Sequence, residues 1–559
     1  MLVFYNRYLN LFIDKLKESF INGLFRVKSS MVENKFIAAE EFAKDQREIS
    51  ISEFFTKNRH LLGFDNPIRA LMMTVKEAVD NSLDACTDMM VLPEIKVTLE
   101  QLSESRINVI IEDNGPGIVK KQIPRIFAKL LYGSKFHTLR QNRGQQGIGI
   151  SASVLYSQLT TGKSTKITSK IDPKKPAHYY ELTIDTKRNE PQIIKEEDVI
   201  WEKEHGIKIE IELEAKYQKG RQSVDEYIKQ TAIANPHVHF TYITPEKERM
   251  EFPRATDKLP TPAQEIKPHP HGIELGTLIK MLQDTTSNTV SSFLQSDFSR
   301  IGPGTAKDII ESSGISTKKP KEVAQHEAEK LYNSLQSAKI IAPPTNCLSP
   351  IGQEILEKGL KKEINADFYV TITRPPAVYR GMPFQIEAAI AYGGDLEKDS
   401  AIRIIRFANR VPLLYQQGAC SITDAVSSIN WRPYGLSQSQ DNLPVGPVII
   451  IVSISSVWVP FTSEAKEAVA HYDEIIKEMK LALQECGRKL SIYINKHIKA
   501  AEQKGKINLF EKYIPEVAFS LSNLTGVKKD GIIADLEKML KKNLPDIINE
   551  VENGGTKKE

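Results

Sequence analysis

Residues 71–85 (LMMTVKEAVDNSLDA) gather an unusual amount of chemistry for one short stretch. Asn81 is a poor residue for a helix interior, yet it sits between Asp80 and Asp84. An amide oxygen beside carboxylates suits a hard divalent cation such as Mg²⁺. Glu77, one helical turn earlier, could orient and deprotonate a water molecule. Some thirty residues on, the apolar run before Asp113 breaks into Asp113-Asn114-Gly115-Pro116-Gly117. An aspartate fixed at a strand end can accept a hydrogen bond from a buried amine such as the exocyclic amine of adenine. Gly117 would let a flat base approach the backbone closely. A third cluster, Arg143-Gly144-Gln145-Gln146-Gly147-Ile148-Gly149-Ile150-Ser151, leads into SASVLYSQL. Glycines opening a helix expose backbone amides that bind phosphate.

Each cluster also has a plain structural explanation. At about 100° per residue, Met72, Val75, Val79 and Leu83 form one apolar stripe, with Glu77, Asp80, Asn81 and Asp84 opposite. That pattern describes an amphipathic surface helix with no function at all. D-N-G-P-G is ordinary turn chemistry. Two further matches are decoys. Gly147-x-Gly149-x-x-Ala152 fits a dinucleotide fingerprint but follows no strand, and Gly162-Lys163-Ser164 ends like a P-loop with Ser157 where glycine is required.

The chain that must position these residues has 559 residues, 75 Lys+Arg against 71 Asp+Glu and a net charge of +4. That length suggests roughly three or four domains. With 40% apolar and 26% charged residues, wholesale disorder is excluded. The longest apolar stretch, 448–459, falls short of the ~20 residues of a spanning helix. Cys86, Cys347, Cys420 and Cys486 lie far apart without a C-x-x-C pair, which excludes a paired-cysteine zinc site and predicts a reduced, cytoplasmic chain. In residues 1–30, Leu9, Phe12, Leu16, Phe20 and Leu24 recur at helical spacing, while Asp14, Lys15, Lys17 and Glu18 argue against a secretory signal. The segment reads as an extension, with Met31 the expected true start.

Pro-rich stretches at 259–272 and 342–350 punctuate the chain. Residues 50–258 mix helices with strands such as 94–102 and 106–112. Residues 273–341 read as all-helical. Residues 365–480 alternate strands with helices, and the remainder is helical. The stretch 481–510 is locally basic and fits either a solvated helix face or a DNA contact.

The order and spacing of the three clusters resemble the GHKL ATPase superfamily, which includes gyrase B subunits, MutL repair proteins, heat-shock chaperones of the ninety-kilodalton class and sensor histidine kinases. The variants VKEAVDNSLDA, DNGPGI, GSKF at 133–136 and GQQGIGIS are most similar to the B subunits of archaeal type IIB topoisomerases. The likeness runs from about residue 51 to the C-terminal region. It implies an α+β multidomain fold. Its parts would be a GHKL (Bergerat) α/β-sandwich ATPase domain at 31–258, a helix–two-turn–helix domain at 259–364, a transducer sheet backed by helices at 365–480, and a stalk with C-terminal helices at 481–559.

The resemblance also implies roles, residue by residue. Glu77 is the general base, Asn81 the Mg²⁺ ligand, and Asp113 reads adenine beside Gly117. Ser134 and Lys135, with Gly144, Gln145, Gln146, Gly147, Ile148, Gly149 and Ile150, line a lid over the phosphates of ATP. Thr161 would sit near adenine. Residues 300–307 (RIGPGTAK) would mark the helix–two-turn–helix block. Lys466, whose type alone predicts a solvated side chain, becomes a switch lysine reaching the γ-phosphate, in a segment where Ser463 could cap a following helix. The implied partners are a separate A subunit in an A2B2 heterotetramer, double-stranded DNA, and a second copy of the chain on ATP binding, with no membrane. Nothing in the chain requires a catalytic tyrosine, and no D-x-D motif accompanies one. A chaperone would lack the helix–two-turn–helix block, a sensor kinase would place a membrane span or phospho-acceptor helix ahead of the motifs, and a DNA-binding scaffold would show no ATPase activity.

Overall fold

The computed structural model describes residues 48–134, 138–144, 147–439, 442–463 and 465–540. Lys135, Gln145 and Gln146, and the whole 1–30 extension, lie outside the described residues. The chain divides into two units, Met1–Ser50 and Ile51–Glu559, and the architecture below belongs to the second.

Helix α1 (Ile51–Lys57) precedes the long helix α2 (Pro67–Met89). Asn66 caps α2, its side-chain oxygen accepting from the Arg69 amide at 2.9 Å, and Pro67 occupies the first turn, where its missing N–H costs nothing. Then follow β1 (Glu94–Ser103), β2 (Arg106–Glu112), α3 (Ile123–Ala128), α4 (Gly149–Thr161), β3 (Thr165–Lys170), β4 (Ala177–Asp185), β5 (Glu190–Val199), β6 (Gly206–Glu214), α5 (Val224–Ala234), β7 (His239–Ile243) and β8 (Arg249–Phe252). The eight strands form one sheet in the order β5-β4-β3-β6-β2-β1-β7-β8, antiparallel except where β1 runs parallel to β7. In β2 the side chains of Ile107, Val109 and Ile111 are buried while their neighbours are partly exposed, so one face of the sheet carries the helical layer.

The surface-helix expectation for α2 fails. Its apolar stripe is buried, and so are Lys76, Asp80 and Asp84 on the polar side. Those charges survive burial because each meets a buried partner of opposite sign.

Beyond β8 come α6 (Leu275–Asp284), α7 (Val290–Asp297), α8 (Pro303–Ser313) and α9 (Gln325–Ser337), which share a small core of their own around Phe293 and Leu331. The two Pro-rich stretches lie against each other and against the chain before the glycine cluster. The Gln264 amide donates to the Cys347 carbonyl at 3.1 Å, and the Ile266 amide to the Leu139 carbonyl at 3.0 Å.

The second sheet follows α10 (Gln353–Glu363). It contains β9 (Phe368–Thr373), β10 (Ala377–Tyr379), β11 (Met382–Tyr392), β12 (Arg403–Ala408), β13 (Val411–Pro412) and, after α11 (Ser421–Ser427), β14 (Val448–Ser456). Its order is β10-β11-β14-β12-β13, with β9 also pairing β11. Every residue of β14 is buried, because α10 packs on one face and α12 (Asp473–Thr525) on the other. At 1.5 Å per residue, α12 is about 80 Å long. Its first third is buried against the sheet, and the basic residues Arg488, Lys489, Lys496, Lys499, Lys504 and Lys506 are exposed. Among the described residues, no helix is long and apolar enough to cross a membrane.

Candidate active site

Helix α2, the turn after β2, the start of α4 and the loop after β14 surround one cavity of about 540 Å³. Glu77, Asn81, Asp113, Gly117, Ser134, Gly144, Gly147, Ile148, Gly149, Ile150 and Lys466 all line it. Asn81 and Glu77 share a face of α2 because they are four residues apart. The remaining wall is apolar, including Met73, Ile118, Ile126, Phe127 and Ile209. A flat hydrophobic ring suits that wall, with polar groups at its two ends.

Asp113 forms one end. Its carboxylate accepts from the Gly115 amide at 2.9 Å, from the Ile207 amide at 3.2 Å and from the Ser82 hydroxyl. Burial pushes its pKa above the ordinary aspartate value, although those donors pull the other way. Two fixed backbone amides and a hydroxyl hold the carboxylate in one orientation, so any ligand amine meets a preset acceptor.

Glu77 forms the other end. Burial alone would raise its pKa, but Lys76 and then Lys466 outweigh burial and hold it below the usual glutamate range. The Lys76 ammonium donates to Glu77 at 2.9 Å and lies 3.2 Å from Asp80. Those two carboxylates overcome the lysine's own desolvation and raise its pKa, so Lys76 stays charged. Asp80 is pushed up by burial and by Glu77, and accepts from Tyr227 at 3.0 Å. The net result is an ionised Glu77 facing the cavity at neutral pH, the form a general base needs.

Gly149 opens α4 directly against this carboxylate. A Cβ at position 149 would lie 1.8 Å from a Glu77 carboxylate oxygen, so any larger residue would force that carboxylate to move. The first amides of α4 have no partner within the helix and sit at its positive end, where anions are favoured. The approach to this turn is fixed by Arg143, whose guanidinium donates to Asp84 at 2.8 Å and to Asn235 at 2.6 Å.

Lys466 enters from the second sheet's side. Its ammonium donates to the Arg143 carbonyl at 3.2 Å, and burial lowers its pKa while Glu77 partly offsets that. The lysine is therefore not the solvated side chain that its type suggests.

Two expectations need correcting. Thr161 lies at the far end of α4, donating to the Ser157 carbonyl at 2.8 Å, and does not line the cavity. Ser463 caps no helix among the described residues: its carbonyl accepts from the Lys466 amide at 3.0 Å, and the next described helix starts at Asp473. Gly117 lines the cavity, and its own backbone also requires glycine: φ is +69° and a Cβ would lie 2.2 Å from the Lys170 carbonyl oxygen. Sequence reasoning also gave no role to Lys76, Ser82 or Arg143. Ser82 carried one faint signal, a helix-interior serine beside an equally unsuited asparagine.

Two family models match the chain. The Histidine kinase-, DNA gyrase B-, and HSP90-like ATPase model matches residues 66–188, and the Topoisomerase VI B subunit, transducer model matches residues 343–506. The B subunit of type 2 DNA topoisomerase 6 from Methanococcoides burtonii is 53% identical over 487 residues, covering 87% of this chain and 78% of that protein. The chain belongs to the family of type 2 DNA topoisomerase 6 B subunits. The B subunit of the Pyrococcus furiosus topoisomerase 6 is 38% identical over 547 residues, covering 88% of this chain and 94% of its own length. Among solved structures, the B subunit of DNA gyrase from Myxococcus xanthus aligns over 79% of this chain and 95% of its own, with a TM-score of 0.39 and 12% identity, too loosely to carry an argument. As a topoisomerase 6 B subunit, the chain is the ATP-binding, ATP-hydrolysing part of a type IIB topoisomerase, its first sheet being the GHKL ATPase layer and its second the transducer.

Proposed function

We propose that Glu77 is the general base of ATP hydrolysis, Asn81 the protein's ligand to Mg²⁺, Asp113 the acceptor for the adenine amine beside Gly117, and Lys466 the cation that meets the γ-phosphate. Ser134, Lys135 and the segment Gly144, Gln145, Gln146, Gly147, Ile148, Gly149 and Ile150 form the phosphate-covering lid. The observation that carries this reading is the Glu77 carboxylate, held ionised by Lys76 and Lys466 against the start of α4. A carboxylate there can accept a proton from a water in line with a phosphate bound at the helix N-terminus.

A Mg²⁺ ion fits the residues present. The Asn81 side-chain oxygen lies 3.7 Å from where a Cβ at Gly144 would be, so the glycine leaves the space beside it open. Among the described residues no group of three or more His, Cys, Asp or Glu could hold a metal unaided. Mg²⁺ commonly takes one or two protein oxygens, with phosphate oxygens and waters completing its shell. When bound, it would neutralise charge on the phosphates.

The domain assignment we propose is 31–258 for the ATPase, 259–364 for the helix–two-turn–helix block, 365–480 for the transducer and 481–559 for the stalk, with α10 as the seam packed on the transducer sheet. ATP binding joins two copies of the chain through their ATPase domains. Lys466 links the nucleotide to the transducer angle, and α12 carries the change to a separate A subunit that cleaves double-stranded DNA in an A2B2 assembly. The chain works in the cytoplasm. Support for this part comes from family membership and the lever-like length of α12.

The test is Glu77→Ala in the full chain. Hydrolysis should fall to near background while ATP-driven dimerisation persists. Turnover close to that of the unmodified chain would remove Glu77 from its role.

A further inference from the structure

Lys466 and Glu467 are neighbours at the tip of one loop, and their side chains are held by different partners. The loop is closed at its base, where the Ala470 amide donates to the Pro460 carbonyl at 2.7 Å and the Thr462 amide to the Ala468 carbonyl at 3.0 Å. Lys466 adopts a left-handed backbone with φ of +54°, sparsely populated by residues other than glycine, and its amide closes a turn onto the Ser463 carbonyl at 3.0 Å. A strained conformation of this kind persists only where the surroundings over-determine it.

Those surroundings are visible. Glu467 is only 4% exposed. Nε of Arg69 donates to its carboxylate at 2.9 Å, and a second guanidinium nitrogen donates to the same oxygen. Arg69 also pairs with Asp65, and its guanidinium lies over the Tyr415 ring, 5.2 Å from the centroid. On the transducer side, the buried Arg406 donates to the Leu413 and Tyr415 carbonyls at 2.7 and 2.8 Å and touches the Glu467 carbonyl at 3.5 Å. The loop is thus tied to β12 through Arg406 and to α2 through Arg69. Arg69 precedes Glu77 by eight positions on that helix, about 12 Å along its axis. One rigid helix therefore carries both the water-facing carboxylate and the anchor for the residue next to Lys466.

We propose that the Arg69–Glu467 ion pair is a latch that sets Lys466 at the mouth of the cavity, so that both are positioning residues acting through Lys466. This rests on the reading of Lys466 as the γ-phosphate contact. The latch bridges the ATPase layer and the transducer at the point where the nucleotide signal must cross, and opening it would free the loop from α2 while leaving it attached to the transducer.

The test is single-turnover ATP hydrolysis by the full chain carrying Arg69→Ala, Glu467→Ala or Lys466→Ala, and each latch variant combined with Lys466→Ala. A misplaced cation should slow the chemical step about tenfold in either latch variant, with little change in nucleotide affinity. On the Lys466→Ala background the same substitutions should add no further loss, because residues that act through one another are not additive. Glu467→Gln, which keeps an acceptor for Arg69, should recover part of the rate. If a latch variant unfolds, Arg69→Lys keeps the charge without the two-nitrogen fork, and an intermediate rate is expected. Wild-type rates in both latch variants beside a slow Lys466→Ala would overturn the latch and spare the Lys466 reading. An equal added loss on the Lys466→Ala background would likewise overturn it, as the mark of a merely structural pair. A wild-type rate in Lys466→Ala alone would overturn the Lys466 reading, and the latch with it.

Discussion

Two glutamates of this chain, Glu77 facing the cavity and Glu387 in the interior, have surroundings that drive them in opposite directions. Glu77, on α2, keeps lysines on two sides, and its pKa is lowered despite burial. Glu387, on β11, has no exposed surface, and burial raises its pKa. Its partners are the Ile351 amide at 2.8 Å, the Gly352 amide at 2.7 Å and the Thr373 hydroxyl at 3.2 Å. Glu387 thus closes the N-terminus of α10 and pins the second Pro-rich stretch to the transducer sheet. The contrast separates the carboxylate proposed to take part in hydrolysis from a structural one. The first is compensated by lysine charges beside a cavity, and the second largely by backbone amides in a closed interior.

Alanine at the two positions should break the comparison most sharply. Glu77→Ala should lower turnover by about 10² to 10⁴-fold, with a smaller loss of stability than Glu387→Ala because Lys76 keeps Asp80 as a partner. Glu387→Ala should instead cost about 2 to 4 kcal/mol of stability, since it strands the buried Ile351 amide and the half-buried Gly352 amide, while the turnover of the folded fraction is largely kept. The paired readout is steady-state ATPase against denaturant unfolding. A catalytic defect in Glu387→Ala with unchanged stability would reverse the two assignments.

The next effect comes from Gly149→Ala. Its methyl would collide with the Glu77 carboxylate and displace it from the start of α4. Turnover should drop by about 10²-fold, the scale expected for an ångström of misplacement. Unchanged turnover, measured with stability as a control, would show that the position of this carboxylate does not matter.

The spacing Glu77-x-x-x-Asn81, the strand ending at Asp113 and the glycine cluster were legible because each is local, and local periodicity decides which residues share a helix face or a strand end. What surrounds them was not. Arg143 meets Asp84 across 59 positions, and Arg69 meets Glu467 across 398. No window along the chain holds both members of such a pair. The polar side of α2 looked solvated for the same reason, since the cations that permit its burial come from elsewhere. Thr161 was misplaced because a position at the far end of α4 turns away from the cavity that the helix start faces. The continuous apolar run of β14 signalled a buried strand but not which helices cover it.

The smallest effect is the most discriminating, because its sign differs between the two glutamates. Glu77 has a lowered folded pKa. The unfolded chain binds the proton first as pH falls, so this residue contributes stability above the ordinary carboxylate range that is lost as pH drops through its folded value. Glu387 has a raised folded pKa. The folded chain holds the proton longer as pH rises, so its contribution is present at low pH and is lost as pH climbs above the ordinary carboxylate range. Relative to Glu77→Gln, the parent chain should therefore lose stability on acidification, and relative to Glu387→Gln it should lose stability as pH rises from about 4.5 toward neutrality. Matching slopes in the two comparisons would erase the distinction.

The central claim is that Glu77, Asn81 and Asp113 serve one nucleotide pocket. Equilibrium binding of a non-hydrolysable ATP analogue, with and without Mg²⁺, tests it most directly. Asp113→Ala should weaken binding under both conditions, whereas Asn81→Ala should weaken it only when Mg²⁺ is present. Affinities unchanged from the parent chain in both variants would contradict the claim.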